Sequence, residues 1–182
     1  GWKDSSLTDK GIKQAKQLAK RLSEVPFAAI YSSTSDRAVK TAEIIKGKRP
    51  VQVIQTDTLR ELSFGNWEGK TFDENERESP KEWSAFWETP HIFSSNTVEC
   101  FSKVQERMVK TINYIVKQHP NETVCVVSHS IALKLLLDFF ENNTLENLWS
   151  SSPIPPTSLT LLKIDSVTNE IIFKCDTSHY NA

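Results

Sequence analysis

Apolar positions recur with a period near 3.6 in several stretches of this chain and crowd together without a period in others. From Thr8 to about Glu24, Ile12, Ala15, Ala19 and Leu22 share one helical face, with Thr8 placed as the N-cap. Lys13, Lys16, Lys20 and Arg21 form its solvated side. Pro26 stops this helix, and Phe27 to Tyr31 reads as a short buried strand. A second helix is predicted over Ser35 to Ile45, and Val51 to Ile54 alternates weakly, as a strand does. Leu59 to Thr71 is loop-like, with Gly65 and Gly69 at turns.

Phe72 to Glu88 mixes acids with Trp83, Phe86 and Trp87 and predicts short helices. The spacing of Phe101, Val104, Met108, Ile112 and Ile115 predicts a long amphipathic helix over Thr97 to Gln118. Thr123 to Val127 is a continuous apolar run, the pattern of a strand covered on both faces. A helix follows at once from Ser130 to about Phe140. After the prolines at 153, 155 and 156, Leu159 to Ile164 and Ile171 to Phe173 read as a terminal pair of strands. Alternating strands and helices predict an α/β three-layer sandwich with a mainly parallel central sheet. No linker or repeat divides residues 1–182, so one domain is expected, with residues 72–96 as a small helical cap insertion.

Composition narrows the chemistry. Of 182 residues, 38% are hydrophobic and 25% charged, and 22 Lys plus Arg balance 23 Asp plus Glu. The net charge of -1 argues against a nucleic-acid-binding surface. Neither GxGxxG nor GxxxxGK[ST] occurs, so the glycine-rich nucleotide loops are absent. Cys100, Cys125 and Cys175 are odd in number and far apart, which predicts free thiols in a reducing, cytoplasmic setting. The sequons at Asn121 and Asn142 are then chance matches. The most apolar stretch, Ile131 to Phe140, is interrupted by Lys134 and Asp138, so no membrane partner is expected.

Two strand-to-helix junctions can hold an anion. One runs from Ile30 through Ser32, Ser33 and Ser35 to Arg37, and the other from Val126 through Ser128 and His129 to Ser130. Ligands of open α/β sheets sit beyond the carboxyl ends of the strands, where helix N-termini offer backbone N–H groups. Arg there supplies a fixed fork of donors for a phosphoryl group, and an imidazolium adds charge and a directed proton. A serine hydrolase is disfavoured, because adjacent Ser and His cannot form a triad and no GxSxG elbow is present.

These residues belong to a wider pattern. Gly1, Asp4, Leu7, Thr8, Gly11 and Gln14-Ala15 resemble G-x-x-D-x-x-L-T-x-x-G-x-x-Q-A of the histidine phosphatase superfamily, the phosphoglycerate mutase-like branch. Tyr31-Ser32-Ser33 with Arg37-Ala38 and Thr41-Ala42 is similar to its Y-S-S-x-x-x-R-A-x-x-T-A. Leu59 to Gly69 resembles L-x-E-x-x-F-G-x-W-E-G, and Val126 to His129 the strand that carries the second histidine. Glu99 with Arg107 fits a weaker G-E-S…R element in which Val98 replaces Gly and Cys100 replaces Ser.

The resemblance implies a phosphatase of small phosphomonoesters that works through a phosphohistidine, with no cofactor and no metal. The chain's length favours this over a phosphoglycerate mutase, the other enzyme reading. A non-catalytic phosphate-binding module is the reading outside enzymes. Arg37 would clamp the phosphoryl oxygens, His129 would stabilise their charge, and Ser130 would add a donor and cap its helix. Glu61 would be the proton donor to the leaving oxygen and then the base that activates water, while Glu68 is read as structural. Arg37 and His129 are expected to converge on one anion. The superfamily's nucleophile lies in an R-H-G motif, and none of His91, His119, His129 and His179 follows an Arg or precedes a Gly. The expectation is a polypeptide that continues upstream of Gly1 by one central strand and a phosphate-binding loop, with the neighbouring strand edges unpaired in its absence.

Overall fold

Residues 1–150, 152–165 and 169–181 are described by a computed structural model. Three parallel strands form the centre, β1 (Phe27–Ser33), β2 (Val53–Thr56) and β3 (Thr123–Val127), in the order β2-β1-β3. Helices α1 (Asp9–Arg21) and α2 (Asp36–Lys46) cover one face, and α5 (Phe101–Gln118) with α6 (Ser130–Phe140) covers the other. A third pair, α3 (Phe72–Glu78) and α4 (Pro80–Glu88), joins the α5–α6 side, and β4 (Leu159–Ile164) pairs antiparallel with β5 (Asn169–Asp176). The predicted three-layer α/β arrangement is the observed one.

Period-2 alternation sorts β3 between the two layers. Val124 and Val126 pack with α5 and α6, whereas Cys125 and Val127 pack toward Leu18 and Ala42. On β1, Ala29 and Tyr31 face the first cluster and Ile30 the second. Phe27 joins Ile30 because the register slips between Phe27 and Ala29. Burial of Val124 to Val127 is only partial, since β3 has no second hydrogen-bonded neighbour among the described residues. The β4–β5 pair is a separate sheet, although Leu159 packs on the same cluster as Cys125 and Val127.

Local side-chain capping accounts for the starts of α1 and α3. Thr8 caps α1, its Oγ1 accepting from Gly11 N at 3.1 Å, and the buried stripe is Ala15, Leu18 and Leu22. Thr71 and Glu74 form a reciprocal capping box at the start of α3. In the α3–α4 segment Glu78 pairs with Lys70 at 2.7 Å and Glu82 accepts from Ser95 at 3.3 Å. Phe86 is the segment's anchor, 1% exposed among Trp67, Trp83, Phe93 and Phe101, and Trp149 Nε1 donates to its carbonyl.

Element ends differ from the sequence reading by up to four residues, most at the start of α5. The long helix begins at Phe101 rather than Thr97. Residues before it are held extended because Glu99 N donates to Ser63 O at 2.8 Å, and Ser63 N returns a bond to Glu99 Oε2 at 3.2 Å. Gly65 packs under this crossing with φ 48°, and a Cβ there would overlap the Thr97 carbonyl. Gly65→Ala therefore carries both left-handed strain and a clash. It is expected to lower stability by about 2–3 kcal/mol, read as a drop in the urea midpoint.

Candidate active site

The carboxyl ends of three adjacent parallel strands carry the site. Ser32 of β1 lies opposite Val127 of β3, so the turns after both strands emerge side by side. The loop that carries Glu61 follows β2 on the same edge. Arg37, Glu61 and His129 thus come together from positions up to 92 residues apart.

His129 is the N-cap residue of α6 and is 8% exposed. Its Nε2 lies 2.8 Å from Ser33 Oγ and 2.9 Å from Ser35 Oγ, and those hydroxyls are 2.9 Å apart. Burial pushes the His129 imidazole down to about 3, helped by the charges of Arg37, Arg107 and Arg60. The ring is therefore neutral at pH 7, where the residue pattern alone suggested an imidazolium. A neutral ring offers a partner one N–H donor and one acceptor nitrogen rather than a positive charge.

This shift has a consequence for stability. The folded ring resists a proton that the unfolded chain accepts below about 6.5, so its contribution is complete above that value and is lost as pH falls toward 3. The loss amounts to on the order of 2 kcal/mol at pH 5. Urea midpoints at pH 7.5 and pH 5 should separate more in the wild type than in His129→Asn. An equal separation in both would show that the acid sensitivity lies elsewhere.

Arg37 sits in the first turn of α2. Its Nη2 donates to Gly1 O at 2.9 Å and Nη1 to Lys3 O at 3.4 Å, and Asp4 Oδ1 lies 3.5 Å from Nη1. Asp4 also accepts from Asp36 N at 2.8 Å, so one carboxylate caps α2 and steadies the guanidinium. That bond to Asp36 holds the Asp4 carboxyl below its usual range, with a further contribution from Arg37.

Glu61 is buried, 7% exposed, rather than a solvated loop carboxylate. Its Oε1 accepts from Leu62 N and Ala132 N, both at 2.9 Å, and Oε2 from Ile131 N at 3.1 Å. The carboxylate thus sits on the N-terminus of α6, where the helix dipole and unpaired N–H groups favour an anion. Its orientation is fixed, and it can handle a proton only by sharing these donors. Glu68 takes backbone N–H groups from Trp2 at 2.6 Å, Lys3 at 3.0 Å and Phe64 at 3.0 Å, in keeping with a structural brace.

Ser130 is exposed and is the first residue of α6, not its cap. The cap position falls to His129 because its backbone is extended, and Ser130 Oγ donates to Ile154 O at 3.2 Å. Ser128 Oγ donates to Leu59 O at 2.7 Å. Neither serine is bonded to His129, and the two that are, Ser33 and Ser35, are 0% and 3% exposed.

Sequence reasoning assigned no role to Ser33, Ser35 or Asp4. Ser33 and Asp4 stand at specified positions of the Y-S-S and G-x-x-D segments, which do not say what they touch, and Ser35 falls on an unspecified position of the first. Three histidines lie outside the constellation. His119 joins Tyr31 Oη at 3.1 Å to Glu122 at 2.8 Å, His179 is 2% exposed, and His91 is exposed. Among the described residues no three His, Cys, Asp or Glu side chains gather as a metal site.

Comparison with known proteins shows the family and the fold. The profile of the histidine phosphatase superfamily (branch 1) matches residues 1–177. Phosphoserine phosphatase 1 of Hydrogenobacter thermophilus is 31% identical over 150 residues, covering 82% of this chain and 71% of that protein. The adenosylcobalamin/alpha-ribazole phosphatase of Escherichia coli is 30% identical over 154 residues, covering 82% and 73%. The solved structure of Bacillus stearothermophilus YhfR superposes with a TM-score of 0.95 at 42% identity, over 99% of this chain and 89% of that one.

Proposed function

We propose a phosphoryl-transfer role for each polar group of the Arg37 site in this chain, which belongs to the histidine phosphatase superfamily and is a phosphatase of small phosphomonoesters. The observation that carries the roles is the meeting of Arg37 and His129 at the carboxyl ends of adjacent parallel strands. Arg37 clamps the phosphoryl oxygens through its fork, and the His129 N–H strengthens its bond as charge develops on them. Ser130 contributes as a donor at the start of α6 once its hydroxyl leaves Ile154. Phosphoserine is a suitable first substrate to try, since it names one of the relatives.

None of the four histidines in these 182 residues stands in the superfamily's R-H-G motif. The free thiols favour a cytoplasmic setting. No described helix is long and apolar enough to cross a membrane.

Glu61 gives the leaving oxygen its proton and then draws one from water. Glu61→Gln should lower kcat/KM for phosphoserine by about 10²-fold or more and spare p-nitrophenyl phosphate, whose leaving group departs unprotonated. Equal losses on both substrates would remove Glu61 from the acid role. Release of inorganic phosphate, rather than an isomerised ester, separates hydrolysis from the mutase reaction.

A further inference from the structure

Arg107 is remote from the phosphoryl pocket by sequence, on the second turn of α5, yet its guanidinium is divided between Glu99 and the loop that carries Glu61. A guanidinium has five N–H donors in a rigid fork. Here Nε donates to Glu99 Oε1 at 2.8 Å and Nη2 to Glu99 Oε2 at 3.0 Å, a bidentate pair. Nη1 donates to Thr58 O at 2.9 Å and Arg60 O at 2.7 Å, and Nη2 to Glu61 O at 3.0 Å. Five donors meet five acceptors.

The partner carboxylate completes the bracket. Glu99 Oε2 also accepts from Ser63 N, and Glu99 N donates to Ser63 O. The carbonyl between, Leu59 O, is held by Ser128 Oγ, and Glu61 O takes a second bond from Trp2 Nε1 at 2.7 Å. Four consecutive carbonyls of an irregular loop, from Thr58 to Glu61, thus have side-chain donors, three of them on one arginine. A short 3-10 turn (Asp57–Leu59) is the regular structure in this stretch, and side chains supply the partners of these four carbonyls.

We propose that Arg107, oriented by Glu99, is a positioning residue that sets where the Glu61 carboxylate stands. The proposal rests on the reading of Glu61 as the proton donor. Misplacing a catalytic group by about 1 Å costs on the order of 10²-fold in rate. Lysine keeps the charge but offers three donors from a single point, so it cannot reproduce the fork.

The test uses the full-length protein with Arg107→Lys, Arg107→Met, Glu61→Gln and the Glu61→Gln/Arg107→Met double variant. Each is assayed on phosphoserine and p-nitrophenyl phosphate, with urea midpoints recorded. Arg107→Met should lose about tenfold or more on phosphoserine and less than about threefold on p-nitrophenyl phosphate. Arg107→Lys should fall between it and the wild type, and it carries the test alone if the Met variant does not fold. The double variant should be no slower on phosphoserine than Glu61→Gln, because Arg107 acts through Glu61. Equal losses on both substrates, or losses that multiply in the double variant, would make Arg107 a merely structural residue and overturn the proposal. If Glu61→Gln itself is unselective, the acid reading falls with the proposal, and that failure is visible without any Arg107 variant.

Discussion

Replacing His129 by alanine is expected to lower kcat/KM for phosphate monoesters by about 10²- to 10³-fold, the scale of a lost oxyanion donor. The ring is neutral and buried, and Ser33 and Ser35 fix its Nε2 side. Such a group needs little reorganisation when charge develops on the phosphoryl oxygens, which is why its loss falls on the transition state. Truncation also leaves those two buried hydroxyls without the imidazole, costing about 1–3 kcal/mol of stability. Activity is therefore compared at a temperature where urea titration shows the variant folded. A folded His129→Ala variant within about tenfold of wild type would remove the residue from catalysis.

Arg37→Ala is the second large effect, with kcat/KM reduced by about 10²-fold or more and competitive inhibition by vanadate weakened in parallel. Arg37→Lys should recover only part of this, since the ammonium restores charge without two parallel N–H bonds. Wild-type turnover by the lysine variant would rule out the clamp. Arg37 is also the foremost of the charges that hold His129 neutral, so its removal should let the imidazole titrate higher. The Hε1 resonance of His129, followed against pH by NMR, reports this separately from catalysis. An unchanged titration would show that burial alone sets the shift.

How legible these features were follows from the range of the interactions behind them. Thr8 was readable as a cap because its partner, Gly11, is three residues away. The run from Thr123 to Val127 was readable as a strand clad on both faces because alternation along one segment decides which layer each side chain meets. The start of α5 was misread by four residues, because what keeps 97–100 extended is a pair of bonds to Ser63, invisible to periodicity. Gly65 was recognised as a turn residue, but the Thr97 backbone that makes glycine necessary lies 32 positions further on.

The candidate site divides along the same line. Arg37 and His129 were marked by their places after strand-like runs, and Glu61 by its motif. What each does electrically was not. His129 is neutral because burial and cationic neighbours gathered from three separate segments act on it together. Glu61 is ordered by N–H groups some 70 residues away, and Arg107 satisfies carbonyls 46 to 49 residues before it. By itself the sequence determined the elements, the caps and the identities of the polar residues, since those depend on propensity and spacing along the chain. Only the tertiary structure decided charge state, burial and which donors each carboxylate holds, because these are sums over neighbours that the fold alone brings within reach.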